Sequence, residues 1–267
     1  MFYLGGSEFP TTTEQLIASV TQGAARLFTL ASSGGAMKIE GGSYPSFSLV
    51  TIDLTGARAV DRLPPEPKGV GPSQPGVFAD RLEVAAHPLY IRQAAVQLDL
   101  TAASARFVYD RDASGSPILS LADAQDGRMT IAIQKPELDA LVLSGAKEAA
   151  SKQGVQILEM SLGLTQIDPR ALAVEVRAKV KKLFVTTTLT LRGKLKVDDN
   201  LNAGVSDLTV SGDGMMGDMA AAAIRPKFQE IDGRSFPLTA LSLGQVRLRN
   251  LEVQAGDVVK VTAEFGS

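Results

Sequence analysis

Few side chains in this sequence have the type and spacing that catalysis needs. The one histidine, His87, stands before Pro88 near a strand end, with no cysteine beside it and no carboxylate pair nearby. A lone imidazole of that kind is ordinarily a surface or half-buried residue, and it excludes any site needing two histidines. Cysteine is absent, which excludes disulfides, thiolate metal sites and cysteine nucleophiles. Asp110, Asp112, Asp123 and Asp126 bracket a turn, but their spacing lacks the alternating ligands and closing glutamate of a calcium loop. Asp198-Asp199-Asn200 reads the same way, as a solvated turn. Gly212-Asp-Gly-Met lacks the Gly-Lys-Ser/Thr ending of a phosphate loop, and Gly115-Ser116 is not set in a nucleophile elbow. The expectation is a protein without metal, cofactor or catalytic residues, whose chemistry is binding.

Two groups of residues suit binding. Arg177, Lys179, Lys181, Lys182, Arg192, Lys194 and Lys196 form a basic set in which Glu175 is the only acid. Such a set attracts anionic headgroups, at about 1 kcal/mol per basic residue near a charged membrane. It is also the ordinary wet face of an antiparallel sheet, kept from edge pairing by lysine. Met215, Met216 and Met219 cluster beside Gly212, Gly214 and Gly217. Methionine adapts to varied apolar ligands, and it equally fills an ordinary core.

The elements that would carry these residues are legible as periodicities. In Leu172 to Lys181, Leu172, Val174, Val176, Ala178 and Val180 share one face. In Leu183 to Val197, Leu183, Val185, Thr187, Leu189, Leu191, Leu195 and Val197 do so. Period-two alternation means strands with one dry and one wet face. The phase shift at Lys181-Lys182 leaves a tight hairpin and a bulge in one long strand both open. A helix is expected over Thr13 to Leu30, with Thr11 and Glu14 at capping-box spacing, an apolar stripe through Leu16, Val20 and Leu27, and a stop at Gly34-Gly35. A second opens at Pro136, carries Leu138, Leu141, Val142, Gly145 and Ala149 inward, and stops at Gly154. A third spans Met215 to Ile231, with Met216, Met219, Ala220, Ala223, Ile224, Phe228 and Ile231 inward and a kink or break near Ile224 caused by Pro226. Strands are expected around Val50–Leu54, Leu82–Ala86, Val96–Leu100, Ala105–Tyr109, Met129–Ile133, Val155–Thr165, Val246–Val253 and Val258–Phe265. The proline-dense stretch Arg62 to Gly76 is expected to be a loop.

Composition narrows the function class. The chain has 267 residues, 45% of them apolar, with 27 basic against 29 acidic side chains and no tryptophan. That balance argues against nucleic-acid binding. No leader and no apolar run near the ~20 residues of a membrane span is visible, so the expectation is a cytoplasmic or membrane-peripheral protein. Strands cluster in meanders between helices, which points to α+β with mostly antiparallel sheet. One domain over 1–267 is expected, with a duplicated helix-plus-meander unit in 1–128 and 129–267.

The stretch from Met129 to the C-terminus resembles the LmeA-like phospholipid-binding family of the tubular lipid-binding (TULIP) superfamily. The matching features are the strand running into a helix in Thr130-Ile-Ala-Ile-Gln-Lys-Pro-Glu-Leu-Asp-Ala-Leu-Val and the paired alternating strands ending at Asp198. An amphipathic helix follows, then Phe236-Pro-Leu, Leu241-Ser-Leu-Gly-Gln-Val and the closing hairpin. The likeness covers about half the chain; the first half fits only loosely, and the proline-rich segment departs from the pattern. It implies a curved antiparallel sheet wrapped on two or three helices around an apolar groove that binds lipid without catalysis. The groove is then expected from Leu16, Val20, Leu27, Leu138, Leu141, Val142, Val174, Val176, Met216, Met219, Ala223 and Phe228. Headgroup contact is expected from Arg177, Lys179, Lys181, Arg192, Lys194 and Lys196. The partner is then a phospholipid or acyl chain, with contact to anionic membrane. Two rival readings stand beside it: an interaction module of the same fold with a filled core, and a hydrolase whose carboxylates converge from distant segments.

Overall fold

The computed structural model describes the chain apart from residues 32–35, 62–63, 66, 153, 183–184 and 239–245; of Lys182 the backbone alone is described. The expected helix stop at Gly34-Gly35, the loop boundary at Arg62, Leu183 and most of Leu241-Ser-Leu-Gly-Gln-Val lie outside the described residues. In chain order the elements are β1 (Phe2–Tyr3), α1 (Thr13–Ala24), β2 (Phe28–Thr29), β3 (Met37–Ser43), β4 (Ser46–Asp53), β5 (Arg58–Ala59), β6 (Gln74–Ile91), β7 (Ala94–Arg111) and β8 (Pro117–Gln134). Then come α2 (Lys135–Ser151), β9 (Gln156–Asp168), β10 (Ala171–Lys182), β11 (Val185–Val197), β12 (Asn202–Gly212), α3 (Gly214–Gln229), β13 (Ser235–Pro237), β14 (Leu248–Gln254) and β15 (Val258–Phe265). The fold is α+β and mostly strand, as the meanders imply.

The chain forms two compact units. Unit 1 comprises Met1–Ala132, Thr239–Asn250 and Thr262–Ser267, and unit 2 comprises Ile133–Leu238 and Leu251–Val261.

In unit 1 the sheet runs β14-β15-β8-β7-β6-β4-β3, with β1 against β8 and the short pair β2–β5 beside β6. Most pairs are antiparallel, but β4 and β5 each pair with β6 in parallel. The meander pattern did not foresee these parallel pairs, because alternation fixes faces and not partners. The expected short strands at Leu82–Ala86, Val96–Leu100 and Ala105–Tyr109 are parts of two strands of 18 residues each. Register shifts between Pro75 and Phe78 and between Ala86 and Leu89 mark bulges in the β6–β7 ladder, and bulges interrupt alternation while the ladder continues. That is why the sequence pattern looked broken.

Helix α1 begins at Thr13, as expected, but its cap lies one residue later than the expected Thr11. The Thr12 hydroxyl accepts from the Gln15 N–H at 3.3 Å, while Thr11 donates back to the Gln15 carboxamide. The capping residues are therefore Thr12 and Gln15, in place of Thr11 and Glu14. The helix ends at Ala24, and Phe28–Thr29 turns extended to pair with β5. Leu16, Val20 and Ala24 form its buried stripe at four-residue spacing. Gly23 lets the helix approach: a Cβ there would lie 1.9 Å from the Tyr3 carbonyl oxygen. Leu16, Val20, Phe47, Val50, Leu82 and Phe265 join one core cluster.

In unit 2 an antiparallel sheet runs β13-β12-β11-β10-β9. β10 and β11 pair from Ala171↔Lys196 to Lys182↔Val185, so the two runs form a hairpin and not one bent strand. Apolar residues stack across neighbouring strands, as in Leu162, Val176, Leu191 and Val210. Asp207, left-handed in β12, sits where the β11–β12 register slips between Arg192 and Lys194. α2 carries proline in its first turn and is followed by a left-handed Gly154, as expected. Its expected inward stripe of Leu138, Leu141, Val142, Gly145 and Ala149 contains no buried residue.

α3 runs without a break through Pro226, contrary to the expected interruption near Ile224. Pro226 falls in the last turn, so the one N–H donation it removes and the crowding of its ring come where little helix follows. The inward face also differs from expectation: Gly217 and Ala221 are buried, whereas Met216 and Met219 are 44% and 62% exposed. Ala223 and Ile231 are exposed too, and Ala220, Ile224 and Phe228 are half-buried. The reason is close approach, since a Cβ on Gly212 would lie 2.1 Å from the Gly217 backbone. Only small residues fit that seam, so the larger side chains are turned away from it.

Candidate functional site

Unit 1 contains a cavity of about 260 Å³ whose lining is wholly apolar. α1 and the segment after it supply Leu16, Val20, Ala24, Leu27 and Phe28. The sheet supplies Met37, Val50, Ile52, Val77, Leu82, Val84, Phe107, Leu119 and Leu121, and Met1, Phe2 and Leu54 complete it. The stripe of α1 makes one wall because its four-residue spacing faces the sheet, and alternation along β4, β6 and β8 makes the other. The volume exceeds the ~150 Å³ of an apolar cavity that stays dry and takes up benzene. Among the described residues no charged group lines it, so it offers a surface suited to hydrocarbon.

A second hollow of about 450 Å³, also in unit 1, shares Met1, Phe2, Leu27 and Phe28 with the first. Pro64, Pro65 and Pro67 of the expected loop form part of its rim, with Tyr3, Gly23 and Arg26. The proline segment thus has a structural position beside the apolar cavity. Proline suits such a rim because its fixed φ and missing donor leave no strand edge to pair.

Of the expected groove residues, Leu16, Val20 and Leu27 line the cavity. The other nine belong to unit 2, and none of them lines either of these two hollows. Leu138, Leu141, Val142, Val176 and Phe228 are half-buried. Val174 borders a hollow of about 460 Å³, but Glu175, Arg192, Lys194 and Asp207 line it too, so it is polar. Met216, Met219 and Ala223 are exposed on α3. The cavity residues on β3, β4, β6, β7 and β8 were not foreseen as groove. Their signal was present, since Val50, Ile52 and Leu54 alternate. Alternation does not say whether the opposing layer fills the space.

Four side chains of the basic face, Arg177, Lys179, Arg192 and Lys194, are ion-paired, to three acids between them. Glu175 accepts from Arg177 at 2.8 Å and from Arg192 at 2.6 Å. Lys194 pairs with Asp207 at 2.8 Å and Lys179 with Glu159 at 3.5 Å. The Arg192 guanidinium, hydrogen-bonded to Glu175, holds that carboxyl below its ordinary range. Exposed pairs of this kind contribute little stability, but they offset part of the charge that would otherwise face a headgroup. Lys181 and Lys196 are exposed and make no ion pair among the described residues.

The other chemical candidates are dispersed. His87 has a carboxylate that sequence proximity missed: its Nε2 lies 2.8 Å from Asp99 across the β6–β7 pair. Both are exposed, and the Thr55 hydroxyl accepts from the His87 backbone N–H at 3.0 Å. Asp112 closes its own turn, accepting from the Ser114 hydroxyl at 2.6 Å and from the Ser114 and Ser116 N–H groups at 2.8 and 2.9 Å. Asp123 pairs with Arg106, Asp110 is buried, and Asp126 sits at a left-handed position in β8. Asp198 accepts from the Asn200 and Asn202 N–H groups. Among the described residues no group of histidine, cysteine or carboxylate side chains is placed to hold a metal. No helix there is long and apolar enough to cross a membrane.

No protein-family model, no curated protein and no solved structure matches this chain.

Proposed function

We propose that this protein binds an acyl chain, of a fatty acid or a phospholipid, without catalysing a reaction on it. The observation that carries this reading is the apolar cavity between α1 and the sheet of unit 1. A hydrocarbon tail gains about 0.8 kcal/mol per methylene moved out of water. A cavity without a polar lining selects hydrocarbon over anything that needs hydrogen bonds. The finer fold reading is TULIP-like, with sheet curved around helices, and the bulges in the β6–β7 ladder and at Asp207 favour such curvature. Contact with anionic membrane rests on Lys181 and Lys196, the two basic residues of that face left without a described ion pair.

The test is uptake of a fluorescent fatty acid by the full chain, with extraction and mass spectrometry of lipid that co-purifies. Saturable uptake is expected, and it should fall when Val84→Phe fills the cavity. A folded protein that neither carries nor takes up any acyl chain overturns the proposal and favours an interaction module.

A further inference from the structure

The two hollows of unit 1 differ in one respect that bears on the ligand's head. Among the described residues lining them, Arg26 is the only charged one. It follows α1, and its guanidinium carbon lies 5.5 Å from the centre of the Tyr3 ring. Tyr3 is in turn fixed by donating its hydroxyl to Asp112 at 3.1 Å. The cation is thus steered over an aromatic face at the rim of an otherwise apolar hollow. It makes no ion pair among the described residues. Val60 donates its N–H to the Leu27 carbonyl at 2.9 Å, which places Asp61 next along the chain, and no ion pair joins Asp61 to Arg26. A planar guanidinium with unused donors is suited to a carboxylate or phosphate.

Volume limits the tail. The apolar cavity of about 260 Å³ falls below the ~300–1,000 Å³ usual for sites holding a drug-sized ligand and suits one chain, while the second hollow of about 450 Å³, which Arg26 lines, is left for the head. We propose that the ligand is a single-tailed anionic amphiphile, with its tail in the apolar cavity and its head on Arg26 at the Tyr3 rim. This inference rests on the acyl-binding reading above and adds the head chemistry and the number of tails.

The experiment compares palmitate, hexadecanol, lysophosphatidic acid and dioleoyl phosphatidic acid by calorimetric titration of the full chain. It is run near pH 8, well above the carboxylate range of about 4. Palmitate or lysophosphatidic acid is expected to bind more tightly than hexadecanol, and the stronger of the two identifies the head. Arg26→Gln should weaken the anionic ligand on the order of tenfold, weaken hexadecanol far less, and be partly rescued by Arg26→Lys. Far-ultraviolet circular dichroism reports that the variant is folded. If hexadecanol binds as well as palmitate and lysophosphatidic acid, or Arg26→Gln alters neither anion, the head assignment is wrong while acyl binding stands. If the two-tailed lipid binds as tightly as the single-tailed ones, the tail count is wrong. If nothing binds, the acyl-binding reading itself fails.

Discussion

Leu16 and Val176 both sit on regular apolar stripes, yet Leu16 is fully buried and Val176 only half-buried. The contrast extends through their units. In unit 1, α1 buries Leu16, Val20, Gly23 and Ala24, and core side chains from six strands meet them. In unit 2, α2 buries nothing and α3 buries only Gly217 and Ala221. Val174, Val176, Ala178 and Leu191 of its sheet remain partly accessible. Backbone pairing is continuous in both. The lesson is that an apolar face and a core are separate achievements: the first needs only a periodic strand, the second a further layer at the right distance.

The largest expected effect tests that contrast directly. Leu16→Ala should cost about 2–5 kcal/mol of unit 1 stability, the range for deleting a buried leucine. Chemical denaturation with an α1-side probe reads it, and a cost near zero would mean that α1 is not part of the core. Next, Gly217→Ala should lift α3 from β12, at about 1–3 kcal/mol for overpacking. Faster amide exchange confined to α3 and β12 would sharpen the comparison, and unchanged exchange would break it. Val176→Ala should cost only about 1 kcal/mol, because its two lost methyl groups are already partly in water. A cost equal to that of Leu16→Ala would show that unit 2 has a core of the same kind.

The smallest expected effect is the acid response of two matched turns, Asp112 in unit 1 and Asp198 in unit 2. The Ser114 hydroxyl holds the Asp112 carboxyl below its ordinary range, and the Asn202 carboxamide does the same for Asp198. Each turn's contribution is complete above the unfolded carboxylate value of about 3.9 and is lost as pH falls through the lower folded value. Amide exchange of Ser114, Ser116, Asn200 and Asn202 should therefore rise only under strongly acidic conditions. Asp112→Asn and Asp198→Asn should each remove that dependence from their own turn.

Much of the local architecture was legible in the residues. Pro136 marked the start of α2, Gly154 its left-handed exit, and Asp198 a turn, because each depends on neighbours a few residues away. The β10–β11 strands were legible from alternation, although the choice between hairpin and bulge needed the observed pairing. The candidate site was legible only in part. Leu16, Val20 and Leu27 were assigned to the groove, whereas Val50, Leu82 and Leu119 were not, since nothing along one strand reports the distance to the layer opposite it.

The sequence by itself determined strand faces, caps and turns, and excluded cysteine chemistry, because these follow from short-range sterics and from residue identity. Only the tertiary structure decided that β4 and β6 run parallel, that Gly212 meets Gly217, that Glu175 bridges two arginines and that Arg26 lines an apolar hollow. Those facts depend on segments far apart in the chain arriving within a few ångströms of each other. Which distant segments do so is settled by the packing of whole elements and leaves no periodic trace in any one of them.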